Sequence, residues 1–157
     1  MITGDMWSML GDYDAVGITT NGEVNSWGEA VMGAGTAKAA AKRWSPWLAE
    51  FLGASLSRFG NHVHVYDNEP PPKFIFSFPT KHRARDRQSD IALIRQSAEE
   101  LMVAADKYRW SKVLLPQPGT GMGRLSWGDV WKSVAPIMDG RIHIVSQLPL
   151  SPTGLVL

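Results

Sequence analysis

Two glycine-rich turns, each set between an apolar run and a helix-forming stretch, constrain this chain more than any other feature. They are Val31-Met32-Gly33-Ala34-Gly35 and Pro118-Gly119-Thr120-Gly121-Met122-Gly123. Glycine lets the backbone approach a ligand closely, and a helix behind the turn presents unpaired N–H groups and the positive end of its dipole. Either turn alone is also an ordinary connection between strand and helix. Two of them, far apart in sequence, point to a pyrophosphate held from both sides. Neither ends in the Gly-Lys-Ser/Thr of a P-loop, and neither gives G-x-G-x-x-G at the first strand. Two familiar nucleotide folds are thereby disfavoured.

The apolar periodicity around these turns alternates between strand and helix. Residues 13–20 read as a buried strand closed by the turn signal Asn21-Gly22. A helix follows from Gly35 to about Leu52, broken at Pro46. Residues 62–66 and 73–78 form two strands around Pro70-Pro71-Pro72, which suits an antiparallel hairpin. Ser89 is the expected N-cap of a helix to about Lys107, with Ile91, Ile94, Ala98, Leu101, Met102 and Ala105 on its inner face. Residues 112–116 make a short strand into the second turn. Ser126-Trp127-Gly128-Asp129 resembles a capping box opening a helix to about Met138, or to a point nearer Pro136. Residues 141–146 close the pattern as a strand, and residues 148–157 read as a tail. Strands alternating with helices imply an α/β sandwich with its ligand at the carboxyl ends of the strands.

The bulk properties bound the function. A chain of 157 residues fits one domain. With 44% hydrophobic and 20% charged residues and a net charge of +1, it has no global field to draw nucleic acid or a membrane. Positive charge does gather locally, at Lys81, Arg83, Arg85 and Arg87. The chain has no cysteine, which excludes disulfides and thiolate chemistry and suits a cytoplasmic protein. No apolar run reaches the length of a membrane span, and the N-terminus has no signal-peptide pattern. The four histidines, His62, His64, His82 and His143, lack metal-ligand spacing. His62 and His64 share a strand face with no evident carboxylate partner, so no metal is expected. Six of the seven tryptophans fall mostly in apolar patterns and are assigned to the core. Trp27, in the polar stretch from Glu23 to Glu29, is the one expected to be exposed as a stacking wall.

Two further groups are candidates for chemistry. Asn21 ends a buried strand and offers both a donor and an acceptor to a ligand hydroxyl, although Asn-Gly is equally a plain turn. Lys81 follows the apolar strand at 73–78, near the edge where the glycine turns lie. It is a partner for phosphate, a nucleophile if desolvated, or one charge of a solvated basic loop.

Taken in order, these pieces resemble a macro domain, the ADP-ribose-binding α/β/α fold, over nearly the whole chain. The likeness is to the branch of ADP-ribosyl hydrolases that act on DNA or glutamate adducts. Gly4-Asp5 resembles the turn whose aspartate accepts the adenine amino group. The strand ending at Thr20-Asn21 resembles the one facing the distal ribose. The two glycine turns resemble the two phosphate loops, and Leu125-Ser126-Trp127 after the second is the most specific match. Phe78-Pro79-Thr80-Lys81 resembles the segment in which the DNA-directed hydrolases carry a catalytic lysine.

The resemblance implies a three-layer α/β/α sandwich with a mixed central sheet, spanning 1–157 as one domain. Its implied ligand contacts are Asp5, Met6, Thr20, Asn21, Met32, Gly33, Ala34, Gly35, Gly119, Thr120, Gly121, Met122 and Gly123, with Lys81 and Asn21 catalytic. It implies no cofactor and no metal. The implied partners are ADP-ribose or an ADP-ribosylated substrate, with nucleic acid reached through Lys81, Arg83, Arg85 and Arg87, and no membrane. A non-catalytic ADP-ribose module and a phosphatase of ADP-ribose 1″-phosphate are the alternatives. The chain departs from the pattern in three places. Gly123 stands where the glutamate-directed relatives carry an acid, residues 22–30 look inserted, and the strand usually preceding Gly-Asp is expected to be missing.

Overall fold

The computed structural model describes residues 1–146, so the expected tail at 148–157 lies outside the described residues. Six strands form one sheet: β1 (Ile2–Thr3), β2 (Ala15–Asn21), β3 (Val65–Asp67), β4 (Phe74–Lys81), β5 (Val113–Pro116) and β6 (Ile142–Ser146). Their order is β1-β6-β5-β2-β4-β3, parallel throughout except for β3, which runs antiparallel to β4. The helices are α1 (Gly35–Arg43), α2 (Trp47–Phe59), α3 (Ile91–Tyr108) and α4 (Trp127–Val134).

Alternation along the strands builds both cores, as it must in a parallel sheet covered on each face. Ala15, Phe76, Phe78, Val113, Leu115, Ile142 and Ile144 meet α3 and α4. Val16, Ile18, Ile75, Leu114 and Val145 face the other way, against α1, the start of α2, and Met6 and Leu10 of two short 3₁₀ turns. The result is a three-layer α/β/α sandwich with a mixed sheet.

Several boundaries differ from expectation, each for a local reason. The first strand is present after all: Ile2 and Thr3 pair with Val145 and Ser146. Strand β3 begins at Val65 rather than His62, because the Ser77 hydroxyl takes the His64 N–H at 2.9 Å in place of a backbone carbonyl. Strand β4 continues past Phe78 to Lys81. An irregularity in register at Thr20 and Asn21 accommodates Pro79, whose carbonyl accepts from Ser97 Oγ at 2.7 Å. Asp90, not Ser89, caps α3, with Oδ1 accepting from Ala92 N–H at 2.9 Å. Ser126 caps α4 as expected, but the reciprocal Asp129 bond of a full capping box is not formed. His62 does have a carboxylate partner, Glu100 on α3, at 2.8 Å. Trp131 is not core, being 45% exposed on the outer face of α4 beside Trp127.

Among the described residues no helix is long and apolar enough to cross a membrane.

Candidate functional site

Chain direction reverses its spread across the sheet between β2 and β5. From β2 the chain runs to the edge strand β3, comes back inward to β4 beside β2, and then crosses to the other side for β5 and β6. Loops at the carboxyl ends of such neighbours diverge and leave a crevice. Here it is a cleft of about 660 Å³. Its floor is the strand ends, Thr19 to Asn21 of β2, Thr80 and Lys81 of β4, Pro116 and Gln117 at β5, and Val145 of β6.

Both glycine turns reach it, from opposite sides of the switch. The first, Gly33 to Gly35, leads directly into α1, whose N-cap residue Ala34 supplies no side-chain hydrogen bond. The first N–H groups of α1 are thus open toward the cleft, which Thr36 and Ala37 also line. The second is a different device. Three residues separate Gly123 from α4, and that helix is already capped by Ser126. What this loop offers is its own backbone: among the described residues the N–H groups of Gly119 to Gly123 have no protein acceptor. A run of unsatisfied N–H groups in a curved loop is an anion cradle. Gly119 has φ +77°, in the left-handed region, and a Cβ there would lie 2.7 Å from Ile94 Cδ1.

Opposite the turns, Asn21 and Lys81 are cross-strand partners at the ends of β2 and β4. The backbone at Lys81 is clamped. Asn61 Nδ2 donates to its carbonyl at 3.0 Å, Gly22 N–H donates to His82 O at 3.1 Å, and Asp90 N–H donates to Thr80 O at 2.9 Å. Half-buried Lys81 is the one charged side chain among the cleft-lining residues described. Asn21 Nδ2 donates to Val31 O at 3.0 Å and its Oδ1 accepts from Glu23 N–H at 2.8 Å. One N–H and one lone pair of that amide remain for a ligand.

Of the residues expected at the site, Thr20, Asn21, Gly33, Ala34, Gly35, Lys81, Gly119, Thr120, Gly121, Met122 and Gly123 line the cleft. Asp5, Met6 and Met32 do not. Asp5 lies beyond β1 at the same edge of the sheet, its Oδ1 accepting from Trp7 N–H at 3.0 Å. Met6 is fully buried, and Met32 packs among the apolar residues behind the first turn. Ser89 is a lining residue that the sequence concealed as a helix cap. It is 6% exposed, and among the described residues its hydroxyl has no partner. Thr20, another lining residue, likewise has a buried hydroxyl without a partner among the described residues. Among the described residues no three His, Asp or Glu side chains gather to hold a metal ion.

A crevice at a sheet switch point, with two open backbone N–H segments and, among the described residues, no lining carboxylate, is an α/β site suited to an anionic ligand. The known structures sharpen that class. The macrodomain of Thermus aquaticus DarG superposes with a TM-score of 0.74 at 26% identity, covering 92% of this chain and 95% of its own. The Mycobacterium tuberculosis DarG macrodomain gives 0.74 at 27%, covering 93% and 97%. By sequence, 79 residues are 29% identical to a DNA ADP-ribosyl glycohydrolase of Thermus aquaticus. That stretch is 49% of this chain and about a fifth, 22%, of the relative. No family model matches the sequence. The chain has the macrodomain fold.

Proposed function

We propose that this macrodomain binds ADP-ribose in the β2–β5 cleft and releases it from a modified macromolecule, with DNA as acceptor. The observation that carries the reading is the facing pair of open backbone N–H segments with Lys81 beside Asn21 at one end. The name of the curated relative supports DNA as the acceptor. In this reading the diphosphate accepts from the backbone of Gly33 to Ala37 and of Gly119 to Gly123. Asp5 takes the adenine amino group with the carboxylate oxygen that Trp7 leaves free. Asn21 orients the distal ribose through its remaining donor and acceptor, and Arg83, Arg85 and Arg87 supply positive charge for the acceptor strand.

Lys81 then acts at the anomeric carbon. Its nitrogen adds to C1″ of the ring-opened sugar, the bond to the acceptor breaks with a proton delivered to the departing group, and water hydrolyses the resulting imine. Calorimetry with ADP-ribose and release assays on ADP-ribosylated single-stranded DNA test the proposal. Wild type and Lys81→Ala should both bind ADP-ribose, and only wild type should release it from DNA. Borohydride during turnover should trap a sugar adduct on Lys81, seen by mass spectrometry. No ADP-ribose binding by wild type would overturn the whole reading. Binding without release would make the domain a reader of ADP-ribose, and equal release by Lys81→Ala would remove Lys81 from the chemistry.

A further inference from the structure

On its Lys81 side the cleft has an outer rim made of two segments. One is residues 22–30, between Asn21 and Val31, both of which line the cleft. The other is the stretch from His82 to Gln88 after β4. They are joined by Glu23 Oε1, which accepts from Ala84 N–H at 3.2 Å, and Ala84 itself lines the cleft.

The 22–30 segment is an ordered turn. Val24 and Ala30 pair across it as an antiparallel bridge, and Asn25 N–H donates to Glu29 O at 2.8 Å. Asn25 Oδ1 accepts from the N–H groups of Trp27 and Glu29, at 2.9 and 3.0 Å. The back of the turn lies on α2. Ala30 N–H donates to Ala49 O at 2.9 Å, and a Cβ on Gly53 would fall 2.0 Å from Gly28 O. At the tip stands Trp27, 83% exposed. A well-held backbone thus presents the largest apolar side chain to water, where it gains nothing from burial; such side chains anchor interfaces. Trp27 is four positions beyond Glu23, so its Cα lies within about 14 Å of the Cα of the residue that makes that contact.

The second segment concentrates charge. From 81 to 88 the chain carries Lys81, Arg83, Arg85 and Arg87 against Asp86 alone, a local +3 in a chain of net +1. Asp86 is turned inward, its Oδ2 accepting from Arg83 N–H at 2.9 Å. Arg83, Arg85 and Arg87 are exposed, and none forms an ion pair among the described residues.

We propose that Trp27 and the arginines of 83–87 form a binding surface for single-stranded nucleic acid. Trp27 stacks on a base neighbouring the one whose ADP-ribose occupies the cleft; that orientation rests on the function proposed above. A single strand offers what this surface matches, bases for the ring and phosphates for the arginines. An acidic peptide would engage the arginines and leave the ring idle, and a duplex keeps its bases stacked out of reach.

Fluorescence anisotropy with a short labelled oligothymidylate, beside calorimetry on free ADP-ribose, tests this surface apart from the cleft. Trp27→Ala should weaken oligonucleotide binding about tenfold, the loss of one stacked base, and Trp27→Phe should restore most of it. Replacing Arg85 and Arg87 together by alanine should weaken binding and reduce the salt slope by about 1 to 1.5. All these variants should bind ADP-ribose as wild type does. Equal oligonucleotide binding by Trp27→Ala and wild type would overturn the proposal, as would an equal effect of Trp27→Ala on a labelled polyglutamate peptide. The oligonucleotide carries no ADP-ribose, so failure of the cleft reading and failure of this one give different results.

Discussion

Gly33 and Gly123 stand on opposite walls of the cleft and are glycine for different reasons. A Cβ on Gly123 would lie 2.1 Å from Ser89 Oγ and 2.6 Å from Gly119 O, so the protein itself demands glycine there. The acid that glutamate-directed relatives carry at this position has no room beside Ser89. A Cβ on Gly33 would meet no protein atom within 4 Å, which leaves close approach of a ligand as its reason. Gly123→Ala should therefore cost about 1–3 kcal/mol in urea denaturation. Gly33→Ala should leave stability within about 0.5 kcal/mol of wild type. Its ADP-ribose affinity, by calorimetry, should fall on the order of tenfold. Ser89 supplies a second contrast. Its buried hydroxyl has no protein partner, so Ser89→Ala should be nearly neutral for the free protein yet lower ADP-ribose affinity about fivefold, the worth of one hydrogen bond. Unchanged affinity would mean that the hydroxyl does not meet the ligand.

Elements hold the site through their ends. Asp90 caps α3 and also bonds His82 at 2.8 Å, tying the residue after Lys81 to the helix that covers one face of the sheet. That bond to His82, helped by the N–H groups of Ala92 and Leu93, holds the Asp90 carboxyl below its ordinary value. Asp14 is lowered in the same sense by the Ser111 and Lys112 N–H groups, at the junction of β2 with β5. A depressed folded-state value means stabilisation present above the unfolded value, near 4, and lost as pH falls through the folded value. The urea midpoint should decline as pH drops below about 4. It should decline less steeply in Asp90→Asn, which keeps a cap but cannot titrate. An identical pH profile for the two proteins would contradict the assignment. At this scale the period of apolar residues revealed β2, α3, β5 and α4 within a few residues. It missed the true ends of β3 and β4, because those depend on Ser77 bonding across to His64 and on a register irregularity that accepts Pro79. Neither device has a signature within its own segment.

For the whole molecule, the cleft matters because it joins what the sheet separates. Its two anion-binding segments come from opposite sides of the β2–β5 switch, so a ligand spanning both should stabilise the fold cooperatively. At a hundredfold excess over Kd, ADP-ribose should add about 2.7 kcal/mol and raise Tm by about 5–10 °C. Differential scanning calorimetry reads this directly, and Lys81→Ala should keep the shift, since the lysine is not part of the diphosphate grip. No shift in either protein would remove ADP-ribose as the ligand.

The sequence by itself determined the two glycine turns, the apolar periods that make an α/β sandwich, the strand end at Asn21 and the cluster of positive charge after Lys81. These are local properties, set by backbone freedom and by side-chain spacing within a segment. Only the tertiary structure decided that Asn21 and Lys81 are cross-strand partners, that Ser89 lines the cleft, and that the turn carrying Trp27 is joined to the arginine segment through Glu23. Each of those depends on strand register or on contacts between segments distant along the chain, which no run of consecutive residues encodes.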